Sequence, residues 1–174
     1  IVNKPEVEGI GVTATLFNTS TGLYMQDLTL KNAYPFDKST GRAVCLQDKG
    51  TQTICKNVKM LSYQDTYYSN NNKGQYYFEN SDIHGIVDFI CGGGDVFFNK
   101  CTLTLEPGKG SYITAPYTDG SDYGYVFDGC KIVGSATDSF TFGRSWGGTA
   151  KCAFLNTILD KNAAANIAST RWTT

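Results

Sequence analysis

The chain holds a single histidine, His84, so a Ser-His-Asp triad would have to pass through that residue. Its neighbour is Gly85, and the setting reads as a loop. A charge excess of either sign is also lacking, since 15 basic residues face 16 acidic ones and the net charge is −1. Nothing in that balance points to nucleic acid or to an anionic membrane surface. No apolar run approaches the roughly 20 residues that span a bilayer. The six cysteines, at 45, 55, 91, 101, 130 and 152, include no CxxC pair, which removes the usual zinc and redox spacings. Their even number permits disulfides, but free thiols pack as small hydrophobes, and most of the six are expected to be buried and inert. Asp119, Asp122 and Asp128 lack the dense oxygen spacing of a calcium loop and read as surface turns. No signal peptide is visible, and the chain opens at Ile1 without methionine, as a processed or partial sequence would.

What is present leans towards strands joined by turns. Glycine numbers 19, and tyrosine and phenylalanine number 11 and 10. Residues 1–174 are expected to form one domain with a real core. A repeat organises them. Six segments share two mostly apolar residues, a polar pair, a small or apolar residue, a variable one and an aliphatic one. They begin at Tyr24, Ile54, Tyr77, Phe97, Val126 and Ala153, with starts 30, 23, 20, 29 and 27 residues apart. So variable a period excludes a helical array but suits solenoid coils whose loops differ in length. An antiparallel β-sandwich also has short strands, but not a pattern that returns every 20 to 30 residues. The expected fold is therefore all-β, a parallel β-solenoid. In its register Asp27, Asn57, Asn80 and Asn156 share a bend position. Leu28, Val58, Cys101 and Cys130 form one inward row, and Leu30, Met60, Ile83, Leu103, Ile132 and Leu159 form another.

The same register locates chemistry. Asp65 and Asp88 each stand five residues after an aliphatic-row residue, in adjacent coils, among Tyr63, Tyr67 and Phe89. The other coils carry Pro35, Gly108, Thr137 and Ala164 there, so the acid pair is local and not a structural repeat. On neighbouring strands, about 4.8 Å apart, two carboxylates cannot both ionise cheaply. One holds its proton, and the pair supplies a general acid beside a nucleophile or base. The other reading is a pair of turn aspartates at strand ends. The Asn70-Asn71-Asn72-Lys73-Gly74 run reads as a turn-rich loop between these coils, able to meet a polysaccharide at a rim. Asn18-Thr19-Ser20 spells a glycosylation sequon.

Tyr63-Gln64-Asp65-Thr66-Tyr67-Tyr68 and Gly85-Ile86-Val87-Asp88-Phe89-Ile90-Cys91-Gly92 resemble two signature blocks of the pectin methylesterases. Ala43-Val44-Cys45-Leu46, Ile113-Thr114-Ala115-Pro116 and Gly143-Arg144-Ser145-Trp146 resemble three more, in the same order. The likeness runs from about Gly22 to Leu159. It implies a right-handed single-stranded parallel β-helix and hydrolysis of galacturonate methyl esters in pectin, with release of methanol. By that resemblance Asp88 is the nucleophile, Asp65 the general acid and then base, and Gln64 the oxyanion donor. Arg144 holds Asp88 ionised, and Phe89, Trp146 and Tyr67 line the sugar cleft. No metal or organic cofactor is implied. The partner is methylated pectin, and the compartment is secreted or periplasmic.

Departures from the family pattern are equally informative. The family has further N-terminal coils and a longer C-terminal tail, so this chain resembles a core portion, and an uncapped coil would offer an edge for association. Cys91 stands where phenylalanine is usual, Ser145 where proline is usual, and Arg42 where a second oxyanion glutamine is usual. Arg42 is expected in the cleft. Gln47 is not expected to replace the missing amide, because residues 42 and 47 face opposite ways in an extended segment. A glycosidase on the same fold and a non-catalytic polysaccharide-binding solenoid remain as alternatives.

Overall fold

The computed structural model describes residues 1–35, 41–108 and 110–174. Its strands fall into three parallel sheets. Sheet A has seven strands, from Val2–Asn3 to Ile158–Leu159, and sheet B has seven, from Leu16–Asn18 to Trp172–Thr173. Sheet C has six, from Leu23–Gln26 to Cys152–Leu155. The chain visits B, then C, then A, and begins the next coil; the strands Leu46–Asp48, Gln52–Lys56 and Lys59–Leu61 are one such circuit. This is the parallel β-solenoid that the repeat predicts, and the β-helix that the family resemblance implies.

Alternation along each strand builds the core. In sheet C the register aligns Met25, Cys55, Phe78, Phe98, Phe127 and Phe154 on the inner face. Their rings stack from coil to coil, with centroids 4.9 Å apart for Phe78–Phe98 and 4.4 Å for both Phe98–Phe127 and Phe127–Phe154. Each such contact adds about 0.5–1.5 kcal/mol to what area burial supplies. Opposite them runs the aliphatic row of sheet A, from Leu30 through Met60, Ile83, Leu103 and Ile132 to Leu159. All but Leu159 are fully buried, and it packs against the same core.

The bend between sheets C and A is made in one way in every coil. Asp27, Asn57, Asn80, Lys100, Gly129 and Asn156 all have φ between 48° and 61°. Asn and Asp tolerate this left-handed conformation better than other residues with side chains. Their amides and carboxylates also bond along the stack. Asn57 Nδ2 donates to Asp27 Oδ1 at 2.8 Å, and Asn156 Nδ2 donates to Asp128 Oδ1 at 2.8 Å. After the last sheet A strand comes the short helix Lys161–Asn166, N-capped by Asp160. Its Ala163 is buried against the core.

All six cysteines are free, and five are buried. Burial pushes the Cys45 thiol up to about 12. The sequon asparagine is buried as well, with Nδ2 donating to Asp48 Oδ1 at 2.8 Å. His84 lies on the sheet A strand Asp82–Gly85 and not in a loop. Glu106 Oε1 at 2.6 Å and Asp82 Oδ2 at 2.9 Å hold its ring.

Candidate active site

The corner between sheets A and B is where the outer face acquires its chemistry. Isolated parallel bridges join Arg42 to Gln64 and Gln64 to Val87 across three consecutive coils. Asp65 and Asp88 follow the last two of these residues and so occupy equivalent places one coil apart. Both take the left-handed conformation, with φ of 57° and 49°. Paired side chains in a sparsely populated backbone region, on neighbouring coils, are the sort of local strain that collects at functional sites.

Arg144, the last residue of the sheet B strand Phe140–Arg144, reaches back to this pair. Its Nε donates to Asp88 Oδ1 at 3.0 Å and its Nη2 to Asp88 Oδ2 at 2.6 Å, a two-pronged grip on the carboxylate. The Tyr112 ring lies 4.4 Å from the guanidinium carbon and supports it from one face. Asp65 has no such clamp. Burial, and then the charge of Asp88, push its carboxyl up to about 7, against the pull of Arg42, Cys91 and Arg144. Burial raises Asp88 too, but the Arg144 bonds and charge oppose it. Up to about pH 7 the pair therefore holds its proton on Asp65 and its negative charge on Asp88.

Both carboxylates open into one cavity of about 530 Å³, which Gln64, Arg42, Cys91, Arg144 and Trp146 also line. A second cavity of about 610 Å³ shares Trp146 with the first and is lined also by Tyr68, Tyr117, Asn70 and Asn72. The rings of Tyr68 and Trp146 stand 5.7 Å apart. The arrangement is a trough with an acid, a clamped carboxylate and an amide at one place, and aromatic walls beyond it.

The Pectinesterase family model matches residues 6–173. The chain belongs to the Pectinesterase family. Pectinesterase 1 of Olea europaea is 34% identical over 151 residues, covering 83% of this chain and 40% of that protein. A pectin methylesterase solved in complex with a hexasaccharide is 28% identical with a TM-score of 0.75, covering 92% of this chain and 57% of the other. The carrot pectin methylesterase has a TM-score of 0.81 at 19% identity, over 99% of this chain and 57% of that one, and so shares its fold. The chain spans 38–40% of the length of the first curated relatives it matches.

Of the residues that the pectinesterase resemblance points to, Gln64, Asp65, Asp88, Arg144, Arg42 and Trp146 meet at the cavity. Tyr67 and Phe89 do not. Both are fully buried; Tyr67 packs edge-on against Phe78 at 4.7 Å, and Phe89 joins the same core. The reason is the corner. After each left-handed aspartate the chain turns two consecutive side chains inward, Thr66 and Tyr67 in one coil and Phe89 and Ile90 in the next. The next outward residues are Tyr68 and Cys91, and it is Tyr68 that supplies the cleft aromatic.

Arg42 lines the cavity, and its guanidinium also grips Glu8, with Nε donating to Oε2 at 2.8 Å and Nη2 to Oε1 at 2.6 Å. The opposite-face argument for Gln47 needs correction. Arg42 pairs with Gln64 but Leu46 pairs with Tyr67, so the first coil carries one extra residue across the corner. Gln47 thereby joins the outward row of Tyr68 and Cys91, yet it is no part of the cavity lining. Glu8 and Ile10 were not foreseen, because residues 6–15 carry none of the repeat. Gly143-Arg144-Ser145-Trp146-Gly147 spells a G-x-S-x-G pattern, but it leaves a strand for a loop and His84 is not in the lining.

Proposed function

We propose that this pectinesterase chain hydrolyses methyl esters of galacturonate units in pectin and releases methanol. Asp88, ionised under Arg144, attacks the ester carbonyl carbon and forms an acyl-enzyme. Gln64 donates its amide N–H to the oxygen on which negative charge collects. Asp65, which keeps its proton to about pH 7, gives it to the departing methoxide. The resulting Asp65 carboxylate then takes a proton from water, whose oxygen attacks the acyl carbon and frees Asp88. The polysaccharide lies along the trough past Tyr68, Tyr117 and Trp146. A substrate of this kind belongs outside the cytoplasm, which assigns the protein to a secreted or periplasmic setting.

The observation that carries the reading is the unequal pair: one carboxylate in a two-pronged arginine grip, and one raised and unclamped, in a single cavity. Methanol release from methylated pectin, measured beside reducing-end formation, tests it. Methanol without new reducing ends is expected. Reducing ends without methanol would make the protein a glycosidase, and binding with neither product would make it a polysaccharide-binding solenoid. Asp88→Asn is expected to abolish methanol release with the fold unchanged, because an amide is no nucleophile.

A further inference from the structure

We infer that Thr66 is a positioning residue for the acid pair: its hydroxyl, donated to the His84 carbonyl of the next coil, holds Asp65 in the left-handed turn that sets its carboxyl beside Asp88. The inference rests on the esterase reading of the same cavity.

The residue before each sheet B strand faces inward, and in two successive coils it latches the corner to the next coil. Cys45 Sγ meets the Leu61 carbonyl oxygen at 3.3 Å, and Thr66 Oγ1 donates to the His84 carbonyl oxygen at 2.7 Å. Leu46 pairs with Tyr67 and Leu61 with His84, so the two latches are equivalent. The hydroxyl is the stronger donor, and it stands at the corner that carries Asp65. Phe89, the counterpart one coil on, has no such group, and there Arg144 grips Asp88 instead. The two aspartates are thus held by different means, Asp88 through its own carboxylate and Asp65 through the residue that follows it.

Thr66 is fully buried and tied on both sides, since its carbonyl accepts from Cys45 N at 2.8 Å and Leu46 N at 3.2 Å. Beside it the ladder is stretched, with Asp65 N reaching Val87 O at 3.3 Å. The acceptor is itself pinned, because Glu106 and Asp82 hold the His84 ring. A left-handed aspartate keeps that conformation only where its surroundings impose it. Without the latch Asp65 moves away from Asp88 and towards water, and it loses the burial and the neighbouring charge that raise its proton affinity. The other groups facing it are Arg42, Arg144, the Cys91 thiol and the Tyr68 hydroxyl, with Glu8 behind Arg42. None of these is altered by a change at position 66. On the acceptor side burial depresses the His84 ring, but Asp82 and Glu106 more than offset it and leave it above its ordinary value.

The test is the pH–rate profile of methanol release for Thr66→Val, which keeps the shape and removes the donor, and for Thr66→Ser, which keeps the donor. The alkaline limb reports loss of the Asp65 proton. Valine is expected to move that limb down by about half a unit to one unit, and serine to leave it in place. A threonine that only supports the fold would lower rate or melting temperature with the limb unmoved, and that result, or an equal shift in both variants, overturns the inference. Should the valine variant not fold, Thr66→Ala removes the same donor with less bulk and carries the same expectation. NMR titration of carbon-labelled aspartate, with Asp65 assigned through Asp65→Asn, needs no turnover. Asp65 should titrate lower in the valine variant than in the parent, while the ring of His84, the only histidine, titrates unchanged. An unmoved Asp65 overturns the inference, whereas a moved Asp65 in a protein whose parent releases no methanol overturns the esterase reading alone.

Discussion

At the scale of single residues the site is a problem in where one proton sits. Asp65 and Asp88 are chemically identical side chains, equivalently placed one coil apart and both largely buried. Only their neighbours tell them apart. Arg144 is spent on Asp88, while Arg42 is turned towards Glu8 and reaches Asp65 through its charge alone. That distant charge still favours the ionised form of the acid, so Arg42 works against the proton that the first step needs. Arg42→Gln removes it and leaves the Glu8 carboxylate unbalanced nearby, and both changes raise Asp65. The alkaline limb of the pH–rate profile is therefore expected to move up, by about half a unit, with the fold intact. An unmoved limb would take Arg42 out of the electrostatics of the site.

At the scale of elements, alternation decides what a substitution does. Phe97 and Phe98 are sequence neighbours on one sheet C strand, Asp95–Asn99. Phe98 points inward, fully buried in the ring stack between Phe78 and Phe127, while Phe97 is 38% exposed and stacks on Tyr77 at 6.0 Å. Phe98→Ala should cost about 3–5 kcal/mol in urea unfolding, as a large-to-small change in a closed core does. Phe97→Ala should cost about 1 kcal/mol or less, since surface changes are rarely larger. Equal losses in the two would mean that the inner and outer rows are misassigned. The same alternation explains what the sequence made legible. The repeat seen from Tyr24 to Leu159 is the observed register, residue for residue, because each coil repeats the same strand, bend and strand. Alternation failed only where the backbone leaves the extended region. The left-handed Asp65 and Asp88 send two successive side chains inward, so Tyr67 and Phe89, which the family resemblance put in the cleft, are buried in the core. The extra residue between Arg42 and Leu46 misled for a related reason. An insertion at a corner changes facing without changing the apolar pattern. Asp65, Asp88, Gln64 and Arg144 escaped both errors, since each sits at the corner or at a strand end and not beyond a kink.

At the scale of the whole molecule, the coils form a stack in which each contacts its neighbours. A cost at one interface is thus carried by the stability of the array. The carboxyl of Asp65 is such a cost. Its folded-state value of about 7 lies above that of an unfolded aspartate, roughly 3.9, so the folded chain binds this proton more tightly than the unfolded chain does. Stability contributed by that preference is present below about pH 4 and is lost as pH rises towards 7. Above that range the fold carries an ionised group that it would rather keep neutral. Asp65→Asn places a neutral amide of nearly the same shape in the same position. The variant should be inactive and yet more stable than the parent at pH 7–8, by about 2–4 kcal/mol. The advantage should shrink as pH falls and vanish near pH 4, where the parent has its proton as well. Thermal melts of both proteins across this range measure the difference directly. A gain that persists unchanged at pH 4 would mean that packing or hydrogen bonding, and not the charge of Asp65, is what the substitution relieves.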